Sequence, residues 1–87
     1  MGLDPLAELL KRCRQERGFT QQQLAATAAV PLTSLQNYEQ AHRRPDLATA
    51  YRLARALGVD LVVLGEAADR GQQEGEKLPE RQTGKRK

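Results

Sequence analysis

The stretch Gly18–Pro45, GFTQQQLAATAAVPLTSLQNYEQAHRRP, decides how this chain folds. It reads as two short helices joined by a tight turn and followed by a basic loop. Thr20 is a good N-cap and Gln23 stands three residues later, so each side chain can satisfy an orphan amide of the other in a capping box. Phe19 before the cap and Leu24 after it are spaced for a hydrophobic staple, which fixes the direction in which the chain runs into the helix. Ala25, Ala26, Ala28 and Ala29 are strong helix formers, small enough to let a second helix approach closely. The turn is Ala29-Val30-Pro31. Pro31 disfavours helical geometry at Val30 and suits the first turn of a new helix.

That second helix is expected over about 32–40. Leu35 and Tyr38, three apart, give it an inward face. Thr33, Gln36, Asn37 and Gln40 fall at i, i+3, i+4 and i+7 and share one outward stripe. The stripe holds only uncharged hydrogen-bonding side chains, whereas an ordinary solvated face more usually carries Lys and Glu. Asn and Gln amides can pair two-pronged with the N6/N7 edge of adenine in the major groove, and Thr can bond a base or touch a thymine methyl. Thr33, Gln36 and Asn37 are therefore the candidate base readers. Leu32 has two candidate roles: a core residue one turn before Leu35, or an apolar contact to a thymine methyl that joins the reading set. In Ala41-His42-Arg43-Arg44-Pro45, three cationic or titratable side chains directly follow the stripe. Gln40, Arg43 and Arg44 are assigned to phosphate on that position; the plainer alternative is an exposed basic loop without a partner.

Towards the N-terminus, Asp4 and Pro5 open a first helix as N-cap and N1. Leu6, Leu9, Leu10 and Cys13 repeat at helical spacing as a core-facing stripe. Lys11, Arg12, Arg14 and Arg17 read as a solvated face, with Arg14 and Arg17 the two within range of a phosphate. Gly18 is a natural closing residue. Towards the C-terminus, Asp46 caps a further helix in which Leu47, Ala50, Tyr51, Ala54 and Leu57 form the expected buried face, and Gly58 closes it. Residues 59–65, VDLVVLG, are open to two readings: a short helix capped by Asp60, or a strand favoured by Val62-Val63. From Glu66 to Lys87 the only large apolar residue is Leu78, so a mostly disordered polar tail with a fraying helical start is expected.

With 87 residues, 39% of them hydrophobic, and Phe19, Tyr38 and Tyr51 as the aromatics, the chain supports one small core that dimerisation would help stabilise. The first candidate dimer contact is the segment 59–65, the second the outer edge of the helix capped by Asp46. A net charge of +3 and a pI near 9.4 fit a nucleic-acid binder without requiring one. Cys13 is the single cysteine, so neither an internal disulfide nor a cysteine-based zinc site is available, and a reducing cytoplasm suits the chain. No apolar run approaches membrane-spanning length and no signal-peptide pattern opens the sequence. His42 is the single histidine and has no matching ligands nearby, which speaks against a catalytic triad or a metal site. Residues 58–65 lack the lysine and glycine spacing of a phosphate-binding loop. No enzyme, cofactor or metal is expected.

The elements Gly18-Phe19-Thr20-Gln21, Leu24-Ala25, Val30, Ser34-Leu35, Glu39, Arg43-Arg44-Pro45 and Leu53-Ala54-x-Ala56-Leu57-Gly58-Val59 together resemble a known pattern. It is that of the helix-turn-helix DNA-binding domain of the phage-repressor-like class, the Cro/repressor or Xre type. The resemblance spans roughly residues 6–64; the whole spaced pattern is specific, each dipeptide alone weak. Three positions depart from it. Ala29 stands where the family usually has a turn glycine, Pro31 where it has a Ser or Thr cap, and Ala41 where a glycine usually ends the second helix. Alanine tolerates positive φ poorly.

The resemblance implies an all-α, lambda-repressor-like fold of four to five short helices; with the composition of the C-terminal stretch this gives a helix-turn-helix domain at 1–65 and a flexible polar tail, disordered, at 66–87. The resemblance also implies sequence-specific binding of double-stranded DNA as a transcriptional regulator, a repressor; the small core adds the expectation of a homodimer. Helix 20–28 then lies across the backbone and helix 32–40 enters the major groove. By the same resemblance Gln21, at the start of the first of these helices, bonds a phosphate. Glu39 is expected to bond within the fold, because a carboxylate facing phosphate would be repelled, and Ser34 to contact backbone or pack. A second reading makes the chain an antitoxin that binds a toxin protein through 61–64 and the tail as well as operator DNA. A third, a dimerisation module without DNA, is disfavoured by the uncharged stripe.

Overall fold

Asp4 accepts the Ala7 amide on Oδ2 at 3.0 Å and Pro5 follows it, so α1 (Pro5–Glu16) starts where the capping signals place it. The computed structural model describes residues 4–75. Its other helices are α2 (Gln21–Ala28), α3 (Leu32–Glu39), α4 (Leu47–Leu57) and α5 (Leu61–Gly75), with no strand among the described residues. Over the described residues the fold is all-α with five helices, as expected. Both halves of the capping box form at α2: Gln23 N donates to Thr20 Oγ1 at 3.0 Å, and Thr20 N donates to Gln23 Oε1 at 2.9 Å. Asp46 caps α4 by accepting the Thr49 amide at 2.9 Å.

The principal contacts run α1–α3, α3–α2, α2–α4, α4–α5 and α5–α1, which closes a ring of helices around one core. Every helix contributes at least one fully buried leucine: Leu10, Leu24, Leu35, Leu53 with Leu57, and Leu64. Each such side chain stabilises the fold by about 1.5–3 kcal/mol relative to exposure. The expected α1 stripe of Leu6, Leu9, Leu10 and Cys13 is buried throughout. Burial pushes the Cys13 thiol above its ordinary pKa, Glu16 adding to the rise and Arg12 offsetting it.

Two expectations change. The buried face of α4 is Ala50, Leu53, Ala54 and Leu57, whereas Leu47 is 74% and Tyr51 50% exposed. The two patterns share Ala50, Ala54 and Leu57, and the fully enclosed Leu53 rotates the face away from Leu47 and Tyr51. The second change lies at α5. Asp60 accepts the Val62 amide at 3.1 Å, and residues 61–75 are helical, so the strand alternative falls away. The helix runs through the boundary expected at 65, with Ala67 fully buried and Ala68 packed on the core. Leu61, Leu64, Ala68 and Gly71 recur at i, i+3, i+7 and i+10, a stripe whose later members are small. Small side chains bury little area and read as polar-tail composition, yet they allow α5 to lie close against α1. The remainder of the expected tail, 76–87, falls outside the described residues.

Candidate nucleic-acid interface

The candidate interface centres on α3, which is only eight residues long. Its inward side is Leu35 and Tyr38, both buried, together with Glu39 at 4% exposure. Thr33 and Gln40 are exposed, while Gln36, Asn37 and Ser34 are half-buried. The outward stripe expected from spacing is therefore open at both ends and partly supported at its middle. Leu32 is partly buried and packs against the core, the first of its two candidate roles.

A buried ion pair locates α3 against α1. Arg14 Nε donates to Glu39 Oε2 at 2.7 Å and Arg14 Nη2 to Glu39 Oε1 at 3.2 Å. The paired side chains are only 13% and 2% exposed. Arg14 Nη1 also donates to the Phe19 carbonyl at 3.0 Å, which ties in the loop before α2. Gln21 Nε2 completes the cluster, donating to Glu39 Oε1 at 3.0 Å. Glu39 thus bonds within the fold, as expected. Arg14 does not belong to a solvated face: its fork is matched in two-pronged fashion to a carboxylate in a place largely closed to water. Sequence alone carries no local signal for a pair separated by 25 positions. Gln21 is held by this cluster, but its amide nitrogen has two hydrogens, and the bond to Glu39 uses one of them. Arg17, the other cation considered for phosphate, sits with its guanidinium carbon 5.9 Å from the Phe19 ring centre, and its Nη1 donates to the Leu57 carbonyl at 3.4 Å.

Both turns that bracket α3 carry alanine in the left-handed region: Ala29 at φ 59° and Ala41 at φ 64°. After α2, Val30 N donates to the Ala25 carbonyl at 2.9 Å and Ala29 N to the Ala26 carbonyl at 3.2 Å. After α3, His42 N donates to the Asn37 carbonyl at 2.9 Å and Ala41 N to the Tyr38 carbonyl at 3.2 Å. Each is a Schellman closure, the geometry in which glycine is usual. The departures from the family pattern at 29 and 41 therefore keep the turn shape and accept the strain of a Cβ. At the start of α3, Pro31 takes extended backbone and makes no side-chain capping bond.

The basic loop splits in two. His42 and Arg43 are exposed, with both amides directed to the Asn37 carbonyl. Arg44 is exposed too, but its side chain bonds back onto the protein surface: Nη2 donates to Asp4 Oδ1 at 3.0 Å and Nη1 to the Ala68 carbonyl at 3.2 Å. The structure thus brings Thr33, Gln36, Asn37, Gln40 and Arg43 onto one helix and the loop that leaves it, and gives Arg44 partners on α1 and α5. The sequence spacing treated Arg43 and Arg44 alike because neighbouring loop residues have no period to separate them. Away from this face, a shallow groove of about 360 Å³ lies between the end of α2 and α4, lined by Thr27, Ala28, Ala29, Arg52, Arg55 and Ala56. No helix among the described residues is long and apolar enough to cross a membrane.

Comparison with known proteins bears on the same elements. A helix-turn-helix family model matches residues 10–64, a span that runs from within α1 into α5 and contains the α2–α3 pair. The uncharacterised HTH-type transcriptional regulator y4dJ of Sinorhizobium fredii is 38% identical over 58 residues, covering 67% of this chain and 75% of that protein.

Proposed function

This chain belongs to the helix-turn-helix family of the Cro/repressor (Xre) type, and we propose that it binds double-stranded DNA sequence-specifically as a transcriptional repressor, reading the major groove with α3. The observation that carries this reading is the uncharged stripe of Thr33, Gln36, Asn37 and Gln40 on a short helix whose opposite side is locked into the core. Charge would bind any sequence through phosphate; amides and a hydroxyl discriminate between base edges. Thr33, Gln36 and Asn37 read bases, with Leu32 at the edge of the set. Gln40 and Arg43 contact phosphate, and Gln21 offers its second amide hydrogen to a phosphate from an orientation fixed by Glu39. Arg44 is left out of the phosphate set because its two terminal nitrogens are engaged with Asp4 and the Ala68 carbonyl, which turn the guanidinium towards α1 and α5 rather than towards the α3 stripe. The protein acts as a homodimer, for which the exposed Val62 and Val63 of α5 and Leu47 and Tyr51 of α4 are the available apolar contacts.

The experiment that tests this is selection from a randomised duplex pool with the purified chain. A two-fold symmetric motif, with half-sites about one helical turn apart, is expected of a dimeric reader. Recovery of unselected sequence, with binding that only tracks salt, would reject base reading by α3. Operator choice then localises by substitution. Asn37→Ala is expected to reduce discrimination between matched and mismatched sites by about 1–3 kcal/mol while leaving nonspecific binding in place.

A further inference from the structure

We propose that Arg44 is a positioning residue for the interface: it clasps the α3–α4 loop to α1 and α5, and so fixes the backbone from which Arg43 reaches DNA. The inference rests on the DNA-binding reading above. The loop is anchored at its start by the amides of His42 and Arg43 on the Asn37 carbonyl, and at its end by Asp46, whose carbonyl and carboxylate receive the amides of Ala50 and Thr49. Between these anchors the tie from the loop to another part of the fold is the Arg44 side chain. It bonds Asp4 Oδ1 at the cap of α1 and the Ala68 carbonyl in α5, partners 40 and 24 positions away.

The site is shaped to receive that guanidinium. A Cβ at Gly71 would lie 2.6 Å from Arg44 Nη2, 3.0 Å from Asp4 Oδ1 and 3.3 Å from Pro5 Cδ. The α5 helix thus passes this point with the clasp closed because residue 71 has no side chain. Glycine inside a helix is otherwise unfavourable relative to alanine. The Arg44–Asp4 pair is partly exposed, with side chains 39% and 22% accessible, so it adds little to global stability. Its effect is local: holding residue 44 holds residue 43 one peptide away, and orders a cation before DNA arrives.

Two variants separate a clasp from a direct phosphate contact without touching an interface residue. Gly71→Ala leaves every charge in place and improves the helix propensity of α5, while its Cβ crowds Arg44 Nη2 at 2.6 Å and, less closely, Asp4 Oδ1 and Pro5 Cδ, the two ends of the clasp. Asp4→Asn keeps a good N-cap for α1 but weakens the tie to Arg44. Binding of the full chain to a labelled duplex recovered by the selection above is measured for each, alongside Arg44→Ala and Arg43→Ala. A clasp predicts that Gly71→Ala, Asp4→Asn and Arg44→Ala all weaken binding, by roughly threefold to tenfold, within the range of coupled neighbours. It also predicts that Arg44→Ala has little further effect once Arg43 is alanine. A direct contact predicts the reverse pattern, and would overturn the proposal: Asp4→Asn tightens binding by freeing the guanidinium, Gly71→Ala does not weaken it, and the losses from Arg43→Ala and Arg44→Ala add.

Should the unaltered chain bind no duplex, the DNA reading fails while the clasp stays testable. Amide hydrogen exchange at His42 and Arg43 should then speed up in Gly71→Ala and Arg44→Ala beyond what the shift in each variant's urea midpoint accounts for. Exchange equal to that of the unaltered chain would overturn the clasp.

Discussion

Four helices end on the same pair of backbone hydrogen bonds, yet two of them close on glycine and two on alanine. Gly18 and Gly58, at φ 77° and 74°, finish α1 and α4; Ala29 and Ala41, at φ 59° and 64°, finish α2 and α3. The alanines bracket the helix proposed to read DNA. Placing an L-residue with a Cβ in this region costs about 1–2 kcal/mol. The starts of the helices differ in the same sense. Asp4, Thr20 and Asp46 each accept an amide at the head of α1, α2 and α4, while Pro31 leaves α3 without a side-chain cap. The outer helices are therefore closed by their own local chemistry. The α3 helix is closed poorly at both ends, and what keeps it in place is its inward side: Leu35, Tyr38 and the Glu39 carboxylate clamped by Arg14.

The largest effect expected from this contrast is at Glu39. Glu39→Ala leaves Arg14 unpaired in a largely enclosed site, and the loss should be about 3–5 kcal/mol in urea unfolding. A loss below about 1 kcal/mol would equate the pair with an ordinary surface ion pair and leave α3 anchored by Leu35 and Tyr38 alone. Next comes Gly58→Ala, the transfer of the α3 situation onto α4. It should cost about 1–2 kcal/mol from the left-handed backbone. Its Cβ would lie 2.6 Å from Arg17 Nη1, so the Arg17 bond to the Leu57 carbonyl should also go. The converse substitutions, Ala29→Gly and Ala41→Gly, should each stabilise by about 0.5–1 kcal/mol, the strain released minus the greater freedom glycine gives the unfolded chain. A loss at either position would mean that its methyl group contributes more than the turn costs.

The smallest effect is at the head of α4. Bonds from the Thr49 hydroxyl and amide hold the Asp46 carboxyl below the usual carboxylate range. A carboxyl depressed in the folded state adds stability that is fully present above its unfolded pKa and is lost as pH falls through the lower folded value. Asp46→Asn should therefore be less stable than the unaltered chain at neutral pH, with the gap closing only in acid below the usual carboxylate range. A gap that stays constant down to acid unfolding would show that the carboxylate charge contributes nothing at this cap.

What the sequence disclosed and what it hid follow from distance along the chain. Caps and closures act over three to five residues, so Asp4, Thr20 with Gln23, Asp46 and Gly58 were readable from neighbours alone. The core stripe of α1 and the inward pair Leu35 and Tyr38 were readable from helical period. The face of α4 lies a small rotation away from the one its period suggests, because leucine and tyrosine satisfy the period at its edge as well as Leu53 does at its centre. Residues 66–75 resemble a tail in composition because Ala67, Ala68 and Gly71 add closeness of approach rather than apolar area. At the interface, the polar stripe was legible as a pattern. The partners of Arg14, Gln21 and Arg44 were not, since they are chosen across 18 to 40 positions by the packing of whole helices.

The Cys13 thiol, enclosed in the α1 seam and raised in pKa by that enclosure, gives the chain a built-in clock. It is the chain's single sulfhydryl, so a labelling reagent has one place to react. The α1 helix packs on both α3 and α5, so loosening of α1 within the ring bares that sulfur further. With scarce reagent the labelling rate reports how often the ring stands open; with abundant reagent it reports how fast it opens. A partner that steadies α3 from outside would slow the same clock from the far side of the core.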